Sequence, residues 1–101
     1  MRIQFERTGG FAGMRFTATI DTDSLSPDDA KSLREMVDAS DFFNLPSTIR
    51  SPTSTADSFQ YKVIIEDQGR KYMVEAGDQA VPPTLKPLMR RLEVLARSSR
   101  H

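Results

Sequence analysis

Three glycines fall within five positions in Gly9-Gly10-Phe11-Ala12-Gly13. On each side of them, apolar and polar residues alternate. Ile3 and Phe5 alternate with Arg2, Gln4 and Glu6 before the stretch, and Met14, Phe16, Ala18 and Ile20 alternate with Arg15, Thr17 and Thr19 after it. A period of two sends successive side chains to opposite faces of a strand, and glycine supplies the positive-φ residues that a tight reversal needs. The chain therefore opens with a β-hairpin, strands about Arg2 to Arg7 and Met14 to Ile20, whose tip carries one large aromatic, Phe11. Two readings of Phe11 stand side by side. Either it folds back over its own hairpin, as single exposed apolar residues do in many proteins, or the tip presents it to a partner.

The next start signal is Ser26-Pro27-Asp28-Asp29. Serine is a good N-cap, proline fits the first helical position, and two acids favour the positive end of the helix dipole. Ala30, Leu33, Met36, Val37 and Ser40 then follow helical spacing, which predicts a helix from Pro27 to Ser40. Asp41-Phe42-Phe43-Asn44-Leu45-Pro46 reads as a short apolar turn that tucks Phe42 or Phe43 and Leu45 beneath the sheet or helix. Ser47 to Asp57 is rich in Ser, Thr and Pro with little to bury, and reads as the one long loop. Alternation resumes from Ser58 to Glu66, with Phe59, Tyr61, Val63 and Ile65 on one face. Asp67-Gln68-Gly69 makes a turn, and Arg70 to Ala76 returns with Tyr72, Val74 and Ala76 in register. After a connector from Gly77 to Pro83, Thr84 is the expected cap of a last helix. Leu85, Leu88, Met89, Leu92, Leu95 and Ala96 form its apolar stripe. Residues 97–101 read as a frayed tail. The order is β-β-α-β-β-α, an α+β fold: a four-stranded antiparallel sheet built from two hairpins, with two helices on one face and a more polar opposite face.

A chain of 101 residues makes one domain the natural prior, with a single core. Fourteen bases balance 14 acids, so no overall field draws it to nucleic acid or to an anionic membrane. The charges are segregated, however. Seven acids stand against Lys31 and Arg34 between Asp21 and Asp41, whereas five bases stand against Glu93 alone from Thr84 onward. That pattern suits two solvated helix faces of opposite sign that attract each other or a neighbour. Cysteine is absent, which excludes disulfides, thiolate nucleophiles and cysteine metal sites. Absence of cysteine, of a signal-peptide apolar region and of a membrane-length apolar run leads to the expectation of a cytoplasmic protein.

Enzymatic chemistry needs a nucleophile with a base, a metal site, or paired carboxylates in a cleft. The single histidine is His101, the last residue. Asp21-Thr22-Asp23 lacks the spacing, the glycine and the terminal glutamate of a calcium loop, and reads as a capped turn. Gly9, Gly10 and Gly13 have no lysine and helix behind them, so they do not form a phosphate loop. The expectation is a protein-binding module with no cofactor and no metal of its own, binding neither nucleic acid nor membrane, and monomeric when free.

Several stretches, taken in order, carry a resemblance. They are Arg2 to Gly13, Ile20-Asp21-Thr22-Asp23-Ser24-Leu25, Ala39 to Pro46, Asp57-Ser58-Phe59-Gln60-Tyr61, and Ala80-Val81-Pro82 with Leu85, Pro87 and Leu88. Together, from Arg2 to about Leu92, the chain resembles the emfourin family, small bacterial proteins associated with protealysin-like metallopeptidases. The resemblance implies a proteinaceous inhibitor of thermolysin-like zinc proteases, with the zinc belonging to the partner. It carries no motif that marks inhibitory residues, so the site rests on physical argument. Thermolysin-like enzymes favour a large apolar residue just after the scissile bond. Phe11 suits that pocket, and its flanking glycines let the backbone approach closely. The expected wedge is therefore Gly9, Gly10, Phe11, Ala12 and Gly13, with Ser51, Pro52 and Thr53 of the long loop as second support. The Gly77–Val81 connector is a further candidate. Any ligand offered to the partner's zinc would be a carboxylate, a backbone carbonyl or the α-amine of Met1. The alternative is a non-inhibitory interaction module that uses the acidic first helix and the basic last helix.

Overall fold

The computed structural model describes residues 1–9, 14–49, 59–77 and 80–98. The opening alternation becomes β1 (Arg2–Gly9) and β2 (Met14–Asp21), antiparallel, with Gly9 opposite Met14. A 3-10 turn at Thr22–Ser24 follows, in which the Asp21 carboxylate accepts from the Asp23 N–H at 3.0 Å. Helix α1 (Pro27–Ser40) begins as its signals require. Ser26 Oγ accepts from the Asp29 N–H at 3.2 Å, and Pro27 takes the first turn. It ends at Asp41, which adopts a left-handed conformation (φ 54°).

The apolar turn after α1 is a 3-10 segment, Phe42–Asn44, that buries Phe42 and leaves Phe43 half-buried beneath the Arg70 guanidinium, 4.3 Å from its ring centre. The Tyr72 hydroxyl donates to the Leu45 carbonyl and ties this turn to the sheet. The chain then forms a two-residue strand, β3 (Thr48–Ile49), parallel to β5, anchored by the Glu75 N–H donating to the Ser47 carbonyl at 2.8 Å. Strands β4 (Phe59–Asp67) and β5 (Arg70–Gly77) make the second hairpin. Its turn residues Gln68 (φ 51°) and Gly69 (φ 81°) both lie in the left-handed region, as a type I′ turn demands.

The sheet order is β2-β1-β4-β5-β3. The expected four-stranded antiparallel sheet is thus corrected to five strands of mixed direction. Two residues are too few to display an alternating pattern, so β3 was hidden at the start of the Ser/Thr/Pro stretch. The last helix, α2, spans Lys86–Ser98. Leu85, buried, precedes it, so Thr84 stands one residue too early to be its cap. Instead, the Pro82 carbonyl accepts from the N–H groups of Leu85 (2.9 Å) and Lys86 (3.2 Å). Arg97 and Ser98, expected in the tail, are helical. Among the described residues, no helix is long and apolar enough to cross a membrane.

One face of the sheet turns Ile3, Phe5, Ile20, Val63, Ile65 and Val74 toward Leu33 and Val37 of α1 and Leu88, Met89 and Leu92 of α2. Leu33, Leu88 and Leu92 are fully buried, each contributing about 1.5–3 kcal/mol by leaving water. The opposite face is polar. One row across it reads Asp21, Arg2, Glu66, Lys71, and another sets Glu6, Lys62 and Glu75 side by side. Signs alternate along both rows, so each cross-strand pair is attractive. The helices also use their segregated charge on each other, with Arg91 reaching Asp29 at 2.8 Å.

Candidate functional site

Strand register brings the ends of three connections to one edge of the sheet. Gly9, which closes β1, lies opposite both Met14, which opens β2, and Phe59, which opens β4. Gly77, which closes β5, lies opposite Gln60. Gly9 has φ 99°, a conformation that a side chain would strain. The connections that leave these positions contain the first-hairpin tip, the Ser/Thr/Pro loop and the Gly77–Val81 connector. Of the residues expected to form the wedge, Gly9 is described. Gly10, Phe11, Ala12 and Gly13 lie outside the described residues, as do Ser51, Pro52 and Thr53 of the expected second support.

Beneath this edge, on the helix face, sits a cluster that the sequence analysis did not single out. Arg7 occupies the same face as Ile3 and Phe5, two positions nearer the tip. Its guanidinium lies 5.7 Å from the ring centre of Phe16 on β2 and 5.0 Å from that of Phe59 on β4. It donates to Glu93 Oε1 of α2 at 3.1 Å, and the Tyr61 hydroxyl is 3.4 Å from the same oxygen. Phe5 packs under the group, with ring centres 6.4 Å from Phe16 and 6.0 Å from Tyr61. One cation therefore binds together the stems of β1, β2 and β4 and the helix above them. The signal available in the sequence was an arginine on the apolar side of an alternating strand. Its partner, 86 positions away, gave no local sign.

The α-amine of Met1 is at the other end of the sheet. It donates to Thr22 Oγ1 at 3.1 Å and lies 3.9 Å from the Asp67 carboxylate. As a zinc ligand it is set aside: it is engaged internally and removed from the tip by the whole length of β1. Among the described residues, no group of three or more His, Cys, Asp or Glu could hold a metal ion. The chemistry open to this edge is the presentation of chain segments to a partner. A braced sheet fixes their ends, and glycine at the exit allows close backbone approach.

A search of curated proteins and a search of solved structures each find no match. The Emfourin family model matches residues 5–93, a span that takes in β1 from Phe5, β2, α1, the second hairpin and the braced Arg7–Glu93 cluster. On that match over most of its length, this chain belongs to the Emfourin family.

Proposed function

We propose that this protein inhibits thermolysin-like (protealysin-like) zinc metalloproteases by inserting loops from the Gly9 edge of its sheet into the active-site cleft. The observation that carries the reading is the convergence of Gly9, Met14, Phe59 and Gly77 on one braced edge. Family membership supports a protease as the partner class. Phe11 acts as the apolar anchor for the pocket that accepts the residue after the scissile bond, and Ser51, Pro52 and Thr53 lend a second contact. Binding such a segment without turnover requires that its peptide bonds be held out of attack geometry or that cleaved ends be held in place. The Arg7 brace supports this by holding the strand ends that flank the segment. The protein supplies no metal. The zinc is the partner's, and a carboxylate or a backbone carbonyl from the loops is what this chain has to offer it.

The reading is tested by titrating the purified protein against thermolysin and a protealysin-like protease with a small peptide substrate. Stoichiometric loss of activity is the expected result. Phe11→Ala should then raise the inhibition constant about 5- to 30-fold, equivalent to about 1–2 kcal/mol, with an unchanged melting temperature. Full inhibition by the folded Phe11→Ala protein would remove Phe11 as the anchor. Absence of both inhibition and binding by the parent protein would refute the proposed function.

A further inference from the structure

Glu93 turns toward the loop-bearing edge, because it pairs with Arg7 two residues before Gly9. Positions seven and three residues before Glu93 and four residues after it share its stripe on a helix. Those positions are Lys86, Arg90 and Arg97, all exposed. Among the described residues, no ion pair uses any of the three. The one acid on the stripe is already neutralised by Arg7. Lys86 and Arg90, with Tyr61, Val81, Met89 and the Arg7-paired Glu93, also line a groove of about 140 Å³. Among the described residues, Glu6 near this edge faces Arg15 at 3.7 Å, and Lys62 stands between Glu6 and Glu75 in the sheet register.

We infer that Lys86, Arg90 and Arg97 form a basic ridge that docks on an acidic surface flanking the catalytic cleft of the protease, with a partner carboxylate between Lys86 and Arg90. The inference rests on the inhibitory reading above and adds a second recognition element to it. Charge complementarity selects the occupant. Three cations that form no ion pair among the described residues, beside a loop-bearing edge, attract a surface rich in Asp and Glu. The ridge also orients the molecule, since its net charge is zero and half of its acids lie between Asp21 and Asp41, in and around α1.

The test is the association rate of the full chain with the protease at about 20 mM and about 300 mM NaCl, for the parent and for Lys86→Glu/Arg90→Glu. Both side chains are exposed, and the thermal transition reports folding independently. At low salt the double variant should associate about tenfold more slowly than the parent, the gap should close at high salt, and dissociation should change less. Asp28→Lys/Glu35→Lys on α1, carrying a charge change of the same size and opposite sign away from the ridge, should leave association within about twofold. Equal rates and equal salt slopes for parent and ridge variant would overturn the inference while leaving inhibition intact. A parent that does not inhibit would overturn both, and is distinguished by the first titration alone. Salt-sensitive self-association of the parent, lost in the ridge variant, would assign the ridge to a second copy of this chain and would likewise overturn the inference.

Discussion

Replacing Arg7 by Met isolates the charge at the centre of the brace. Methionine keeps an unbranched apolar stem of similar length between the Phe16 and Phe59 rings, so lost packing is a minor part of the change. What disappears is electrostatic. The Arg7 and Glu93 side chains are 26% and 25% exposed, so their 3.1 Å pair is better shielded than a surface pair and is worth about 1 kcal/mol. Two cation–ring contacts, at 5.0 and 5.7 Å, add about 0.5 kcal/mol each at this degree of exposure. The sum is about 2 kcal/mol. In a domain of this length, 1 kcal/mol moves the melting temperature by about 4–8 °C, so Arg7→Met should melt about 10 °C lower. A double-mutant cycle with Glu93→Gln, read by chemical denaturation, should give a coupling of about 1 kcal/mol. Amide exchange should accelerate at Gly9 and Phe59 more than at Ile3 and Ile65, because the brace acts on the strand ends. A melting temperature within about 2 °C of the parent, with no coupling to Glu93, would refute the reasoning.

Three further outcomes follow from particular contacts. Gln68→Asn should stabilise the fold by about 0.5 kcal/mol in urea, because asparagine tolerates the left-handed conformation better than glutamine at this turn position. Gly69→Ala should destabilise it by about 1–2 kcal/mol, since φ 81° strains any side chain even where there is open space for one. Tyr72→Phe removes the hydroxyl that donates to the Leu45 carbonyl, and should cost about 1 kcal/mol in the same assay while leaving the far-ultraviolet circular dichroism unchanged.

Much of the architecture was readable from local pattern. Helix α1 has the limits its signals predict, because an N-cap serine, a first-turn proline and two early acids all act within a few residues. Both hairpins are in the expected places, because strand alternation and turn glycines are also short-range features. The apolar turn does tuck in Phe42, although only its packing distinguishes Phe42 from half-buried Phe43. Strand β3 and the start of α2 were misread because they depend on partners elsewhere. Two residues become a strand only beside β5, and α2 starts where Pro82 can accept and Leu85 can be buried.

What the sequence determined by itself is therefore the set of elements and the apolar face of each. Alternation of period two, helical spacing and capping are properties of contiguous residues, and they hold before any long-range contact forms. Tertiary structure alone decided that β1 lies between β2 and β4, that a fifth strand joins β5 in parallel, and that the ends of three connections meet at one edge. It also decided that Arg7 meets Glu93 across 86 positions, and that Lys86 and Arg90 line a groove with Tyr61 and Glu93. The reason is physical. The choice among pairings is made by contacts summed over whole faces, between segments whose separation in the chain carries no local mark.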